Sequence, residues 1–251
     1  MPKYKAETYE EFYGLVDNVL TDADFDPEEK DDEVRKLLML ALSVLQEFYL
    51  QVQYYTAYDI ISERFEEELS KFNSDLKESL LILFNDFIDS VRVDQNLKYG
   101  IPANVVDSDV DFEKVLYSVV DDVTQTLQAD LNEKAQFYID LAITTGVFSL
   151  HSNFRRAIQQ LDNKLRNNAF HATKLVERDY LTFVYGQEAL FYWRVSGRNT
   201  CEWCYANEAM GAMPLSYWGV DHINGACILE PANPDEYSQE YIDLISGEIL
   251  W

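Results

Sequence analysis

Apolar positions over the first three quarters of the chain recur every three or four residues, the period of a helix with one buried face. The first stripe is Val34, Leu37, Leu38, Ala41, Leu45, Phe48, Tyr49 and Val52. Ahead of it, Asp26-Pro27-Glu28-Glu29 reads as a helix start. Asp caps free N–H groups, Pro suits the first turn, and the acids complement the helix dipole. This helix either runs into the tyrosines Tyr54, Tyr55 and Tyr58 or breaks before them. A second stripe is Leu76, Leu80, Leu83, Phe84, Phe87 and Val91. A third is Phe112, Val115, Leu116, Val119, Val120, Val123, Leu127 and Leu131. Its valines weaken helix propensity, so packing must decide in favour of helix. Residues 97–109, with Gly100 and Pro102, predict a loop. Residues 133–149 and 152–192 continue the helical pattern, with bends expected near Gly146 and Gly186.

The last quarter has a different texture. Residues 1–196 hold 7 Gly plus Pro, whereas residues 197–251 hold 8. All four tryptophans, Trp193, Trp203, Trp218 and Trp251, fall in the last 59 residues. These shifts predict a mainly α protein in three parts: a multi-helix body over 1–190, a small mixed α/β Cys/His module over 191–232, and an acidic tail over 233–251. Short strands are expected near Tyr192–Val195 and Ala226–Leu229. Trp193, Trp203 and Trp218 are the natural core of so small a module.

Charge sharpens this division. The chain of 251 residues carries a net charge of −25. On average it repels nucleic acid, so it is not expected to coat DNA. Residues 1–150 balance at −20, residues 151–198 at +4, and residues 199–251 at −9 with no Lys or Arg. The basic band before the module reads either as a solvated helix face or as a docking face for an acidic partner or DNA. No apolar run approaches the roughly 20 residues of a membrane helix. The N-terminal MPKYKAETYEEF has no apolar core of a secretory signal, so synthesis in a cytosol is expected.

The three cysteines, Cys201, Cys204 and Cys227, fall within 27 residues. An odd, clustered set argues against a disulfide framework and for local chemistry. Cys201-x2-Cys204 is followed after 17 intervening residues by His222 and, after 4 more, by Cys227. Three thiols and one imidazole suffice for a tetrahedral zinc site. A tight knuckle would aim both thiolates of the pair at one ion, and a metal supplies folding energy that a thin core lacks. Equally, buried cysteine commonly serves as a small hydrophobe, and His222 could simply hydrogen-bond a carbonyl.

The stretch from Phe191 to Pro231 resembles the C-terminal motif of the phage Mu F-like minor head proteins, including the SPP1 gp7-type group. The matching pieces are Phe191-Tyr192-Trp193-Arg194-Val195, Gly197-Arg198, Thr200-Cys201-Glu202-Trp203-Cys204, Met210-Gly211-Ala212, His222, Cys227 and Pro231. The likeness covers about residues 185–232. Gly225 stands where the family carries a further cysteine, which leaves Cys201, Cys204, His222 and Cys227 as the only four-ligand set. The resemblance implies a structural, non-catalytic component of a virion. It would be a minor capsid protein that associates with the portal or the major capsid protein in head morphogenesis and genome delivery, with at most weak contact to packaged DNA. Arg194 and Arg198 are candidate partner contacts.

Enzymatic alternatives fit less well. Val220-Asp221-His222-Ile223 resembles the first catalytic strand of an HNH nuclease, where Asp and His flank a divalent metal. Only 29 residues follow His222, however, and the other histidines, His151 and His171, lie upstream. A zinc deaminase needs His-x-Glu and Pro-Cys-x-x-Cys, but here Asn224 and Thr200 occupy those places. A Cys–His nucleophile pair would lack a recognisable oxyanion hole. A zinc-stabilised interaction module unrelated to phage is the remaining alternative.

Overall fold

The computed structural model describes residues 31–108, 110–142, 150–195, 202–218 and 227–247. Among these the chain forms seven helices and three short strands. They are α1 (Asp31–Val52), α2 (Ala57–Ile60), α3 (Glu63–Tyr99), α4 (Phe112–Asp140), α5 (His151–Tyr185), β1 (Leu190–Arg194), α6 (Glu202–Ala209), β2 (Ala212–Pro214), β3 (Ile228–Pro231) and α7 (Gln239–Ser246). The protein is therefore mainly α, with a small antiparallel sheet near its C-terminal end. No helix among the described residues is long and apolar enough to cross a membrane.

The chain divides into two compact units, and α3 and α5 are each split between them. Unit 1 comprises residues up to Asn85 together with Phe112–Arg166. Its core follows the sequence stripes. From the first stripe, every member from Leu37 to Val52 is buried, and only Val34 is partly exposed. In the third, all but Val115 are buried. The valines of α4 are held helical because Val119, Val120 and Val123 lose their water contact there. Each buried aliphatic contributes about 1.5–3 kcal/mol, against a few tenths lost in propensity.

Phenylalanines link the helices of unit 1. Phe48 of α1 stacks on Phe72 of α3 at 4.7 Å and meets Phe154 of α5 at 6.0 Å. Between α3 and α4 the Asn73 amide donates to Asp121 and Thr124, both at 3.0 Å, and the Lys77 ammonium lies 2.6 Å from Asp121. Burial raises the Asp121 pKa, but the hydrogen bonds from Lys77 and Asn73 outweigh it, and the carboxyl titrates below its ordinary value. The first helix stops at Val52, before the tyrosine cluster. Thr56 then caps the four-residue α2 through a reciprocal box with Asp59. The Tyr55 phenol donates to Glu68 at 2.5 Å; burial, then that carboxylate, pushes its pKa up to about 12. The expected helix start at Asp26–Glu29 and the bend at Gly146 lie outside the described residues.

Unit 2 comprises Asp86–Asp111 and residues from Asn167 onward. The helix α3 continues through Leu97, Lys98 and Tyr99 before the loop begins at Gly100, whose φ is +65°. The helix α5 ends where Gly186 turns left-handed at φ +89°, a conformation that costs glycine little. The chain then enters β1, the central strand of a sheet ordered β2-β1-β3. Tyr192 pairs with Ala212 on one side and with Glu230 on the other. Alternation along β1 puts Phe191 and Trp193 inward.

The last described segment belongs to the same unit. The Ser238 hydroxyl donates to the Phe183 carbonyl at 2.6 Å and accepts from the Tyr241 amide as the N-cap of α7. The Tyr241 hydroxyl donates to the Tyr99 carbonyl at 2.8 Å. These bonds tie α7 to the ends of α5 and α3.

Candidate functional site

The inward residues of β1 meet α6 and the turn after β2 in one buried cluster. Its members are Phe191, Trp193, Cys204, Leu215, Trp218 and Cys227, with Leu181 from α5. Trp218 is 1% exposed and its indole N–H donates to the Phe191 carbonyl at 2.8 Å. Its ring lies 5.8 Å from that of Trp193. An indole so enclosed needs such an acceptor, because a buried N–H left unbonded costs about 1–3 kcal/mol.

The cluster brings together two of the four expected metal ligands. Cys204 on α6 and Cys227 at the entrance to β3 are both buried in it. Cys201 and His222 lie outside the described residues. Among the described residues no group of three or more His, Cys, Asp or Glu side chains is gathered to hold a metal ion.

The cluster departs from expectation at Trp203. It is 45% exposed, although its ring meets Trp193 edge-on at 5.3 Å. Successive helical residues point about 100° apart, so Trp203 and Cys204 cannot both face inward, and Cys204 takes the interior. Of the candidate partner contacts, Arg194 is engaged within the sheet. Its guanidinium pairs with Glu230 across β1 and β3 at 2.5 Å and lies 4.5 Å over the Tyr192 ring. Arg198 lies outside the described residues.

Beside the cluster, wholly within unit 2, lies a cavity of about 330 Å³ that sequence reasoning missed. One wall is the last turn of α3, with Gln95, Lys98 and Tyr99, and another is α5, with Lys174, Arg178 and Tyr185. Trp193 and Cys227 line it from the sheet side. Lys174 pairs with Glu177 at 2.8 Å, and Arg178 donates to the Leu215 carbonyl at 3.0 Å. Burial lowers the Arg178 pKa while Asp179 raises it. The guanidinium stays charged, since arginine does not deprotonate in proteins. Burial, then Glu177, raises the Tyr99 pKa, and burial does the same for Tyr185, so both phenols are neutral donors at pH 7. The available signal was the basic band: Lys174 and Arg178 belong to it, although nothing in their spacing announces a cavity.

No family model, no curated protein and no solved structure matches this chain.

Proposed function

We propose that the protein is a structural component of a tailed-phage head, a minor capsid protein that associates with the portal or the major capsid protein during assembly and genome delivery. The reading rests on one observation. The motif running from Phe191 through Thr200-Cys201-x2-Cys204 and His222 to Cys227 and Pro231 has the order of the minor head proteins. The burial of Cys204 and Cys227 beside Trp193 is compatible with that motif forming one folded centre. In this reading the role is assembly rather than catalysis, and the acidic chain meets packaged DNA weakly if at all.

Zinc held by Cys201, Cys204, His222 and Cys227 would close the module. The two described thiols suit this, since both lie in one water-poor cluster, where a metal adds folding energy. Elemental analysis of the purified chain should then find one zinc per chain, lost together with folding of unit 2 in Cys204→Ser. Less than about 0.2 zinc per chain would leave the cysteines as core residues only.

The functional test is association. Co-expressed with the portal and major capsid proteins encoded beside its own gene, the chain should co-purify with one of them and be recovered in purified virions. Absence from virions, combined with no retention on either protein, would end the head-protein reading.

A further inference from the structure

Two residues that line the cavity of unit 2 each carry a buried polar atom whose hydrogen bonds are unmade among the described residues. The atoms are Oε1 of Gln95, a residue 5% exposed, and Nε1 of Trp193, 3% exposed. One is an acceptor and the other a donor, both atoms are closed to bulk water, and both residues line the same space. Leaving each unbonded costs about 1–3 kcal/mol, and both orphans belong to residues in the walls of one cavity.

The charge around the space is the reverse of the chain's average. Lys98, Lys174 and Arg178 line it against the single carboxylate Glu177. Glu177 is already paired with Lys174. Lys98 forms no ion pair among the described residues; its ammonium lies 4.9 Å over the Tyr99 ring. Arg178 gives one N–H to Leu215 and keeps further donors on its fork. In a protein of net charge −25, the exposed Lys98 and the half-buried Arg178, which has Asp179 beside it, are two cations beyond the Lys174–Glu177 pair and favour an anion locally. The remaining wall is flat and apolar: Tyr99, Tyr185, Trp193 and Leu229.

We propose that this cavity binds a small organic anion with a planar apolar body. The body would lie against Tyr99, Tyr185 and Trp193, and the anionic group would sit between Lys98 and Arg178. The volume lies at the lower end of the range that encloses such ligands, about 300–1,000 Å³. The inference is independent of the head-protein reading, since it uses neither Cys201 nor His222.

The test uses two fluorescent probes that differ by one anionic group. They are 8-anilinonaphthalene-1-sulfonate and its neutral parent, N-phenyl-1-naphthylamine. Titrated into the full chain, the sulfonate should saturate at one site and bind at least about tenfold more tightly than the neutral probe, with affinity falling as salt rises. Lys98→Glu should weaken the sulfonate about tenfold or more while leaving the neutral probe and the unfolding midpoint unchanged. Lys71→Glu, in unit 1, controls for overall charge. Equal affinity for both probes, no saturable site, or a Lys98→Glu loss no larger than that of Lys71→Glu would overturn the proposal.

Discussion

Unit 1 fills its interior with leucines, valines and phenylalanines carried on long helices. Unit 2 adds to the buried faces of its α3 and α5 portions, such as Ile88, Val91, Val176 and Val184, a cluster of Trp193, Trp218, Phe191 and two cysteines on short elements. The openings differ in the same way. A groove in unit 1 is lined by Glu47, Glu68, Asp75 and Glu78 around Lys71, whereas the cavity in unit 2 is lined by Lys98, Lys174 and Arg178 around Glu177. An acidic, open groove on an aliphatic bundle is what a solvated surface gives at a net charge of −25. A basic, aromatic cavity with two unmet hydrogen bonds in its walls runs against the chain's own bias. Unit 1 therefore reads as scaffold and unit 2 as the place to look for recognition.

The strongest way to break this contrast is to hollow each core in turn. Trp218 and Phe154 are both essentially fully buried, the first in unit 2 and the second in unit 1. Replacing either by alanine should cost about 3–5 kcal/mol, measured by chemical denaturation. Trp218→Ala additionally strands the Phe191 carbonyl that its indole had satisfied. Amide exchange read by mass spectrometry should rise mainly over residues 86–111 and 167–247 in Trp218→Ala. In Phe154→Ala it should rise mainly over 31–85 and 112–166. If both substitutions accelerate exchange evenly along the chain, the two units share one cooperative core and the comparison dissolves.

The same contrast explains what the sequence made legible. Helical stripes report burial directly, because a position such as Leu37 or Leu131 repeats with its neighbours over several turns. The stripes of α1 and α4 could accordingly be read almost side chain by side chain, whereas Phe65, Leu69 and Phe72, buried on the first half of α3, were not expected. Short strands carry no such redundancy. The strand β3 runs over Ile228–Pro231, two residues later than expected, and β2, only Ala212–Pro214, escaped notice because three residues show no alternation. Its existence depends on pairing with β1, a non-local fact. The cavity was illegible for a related reason. Gln95, Lys98, Lys174 and Arg178 each look like polar positions on a solvated helix face. Only the return of the chain through β1 and β3 encloses them. The paired burial of Cys204 and Cys227 was within reach, because clustered cysteines in a thin module have few other uses.

A smaller effect sharpens the description of unit 1 as a scaffold built on local rules. The helix α2 has four residues and too few internal hydrogen bonds to stand on propensity. Its capping box and the burial of Ala57 and Ile60 hold it. Thr56→Ala removes the hydroxyl that accepts from the Asp59 amide and should cost about 1 kcal/mol at neutral pH. The Asp59 carboxyl is held below its ordinary value chiefly by the Thr56 hydroxyl and amide. The cap is therefore fully present above the usual carboxylate range and is lost as pH falls through the depressed value. The penalty of Thr56→Ala should shrink in acid. A penalty constant from pH 7 down to pH 2 would mean that the carboxylate has no part in the cap.

The smallest expected effect separates the units by pH rather than by mutation. His171 lies on the unit 2 portion of α5, and its pKa is lowered from 6.5 first by burial and then by the Arg178 guanidinium. A lowered histidine pKa means that the unfolded chain takes up the proton more readily than the folded one. Stability is then whole above the unfolded value and declines as pH falls below it toward the folded value. Unit 2 should weaken on going from pH 7 to pH 5. His171→Gln keeps a polar side chain of similar reach but cannot take the charge, so it should flatten that decline. The measurement is the unfolding midpoint of both proteins across this interval. Parallel slopes would show that His171 is not the titrating group, and that the positive charge of Arg178 is not felt at the imidazole.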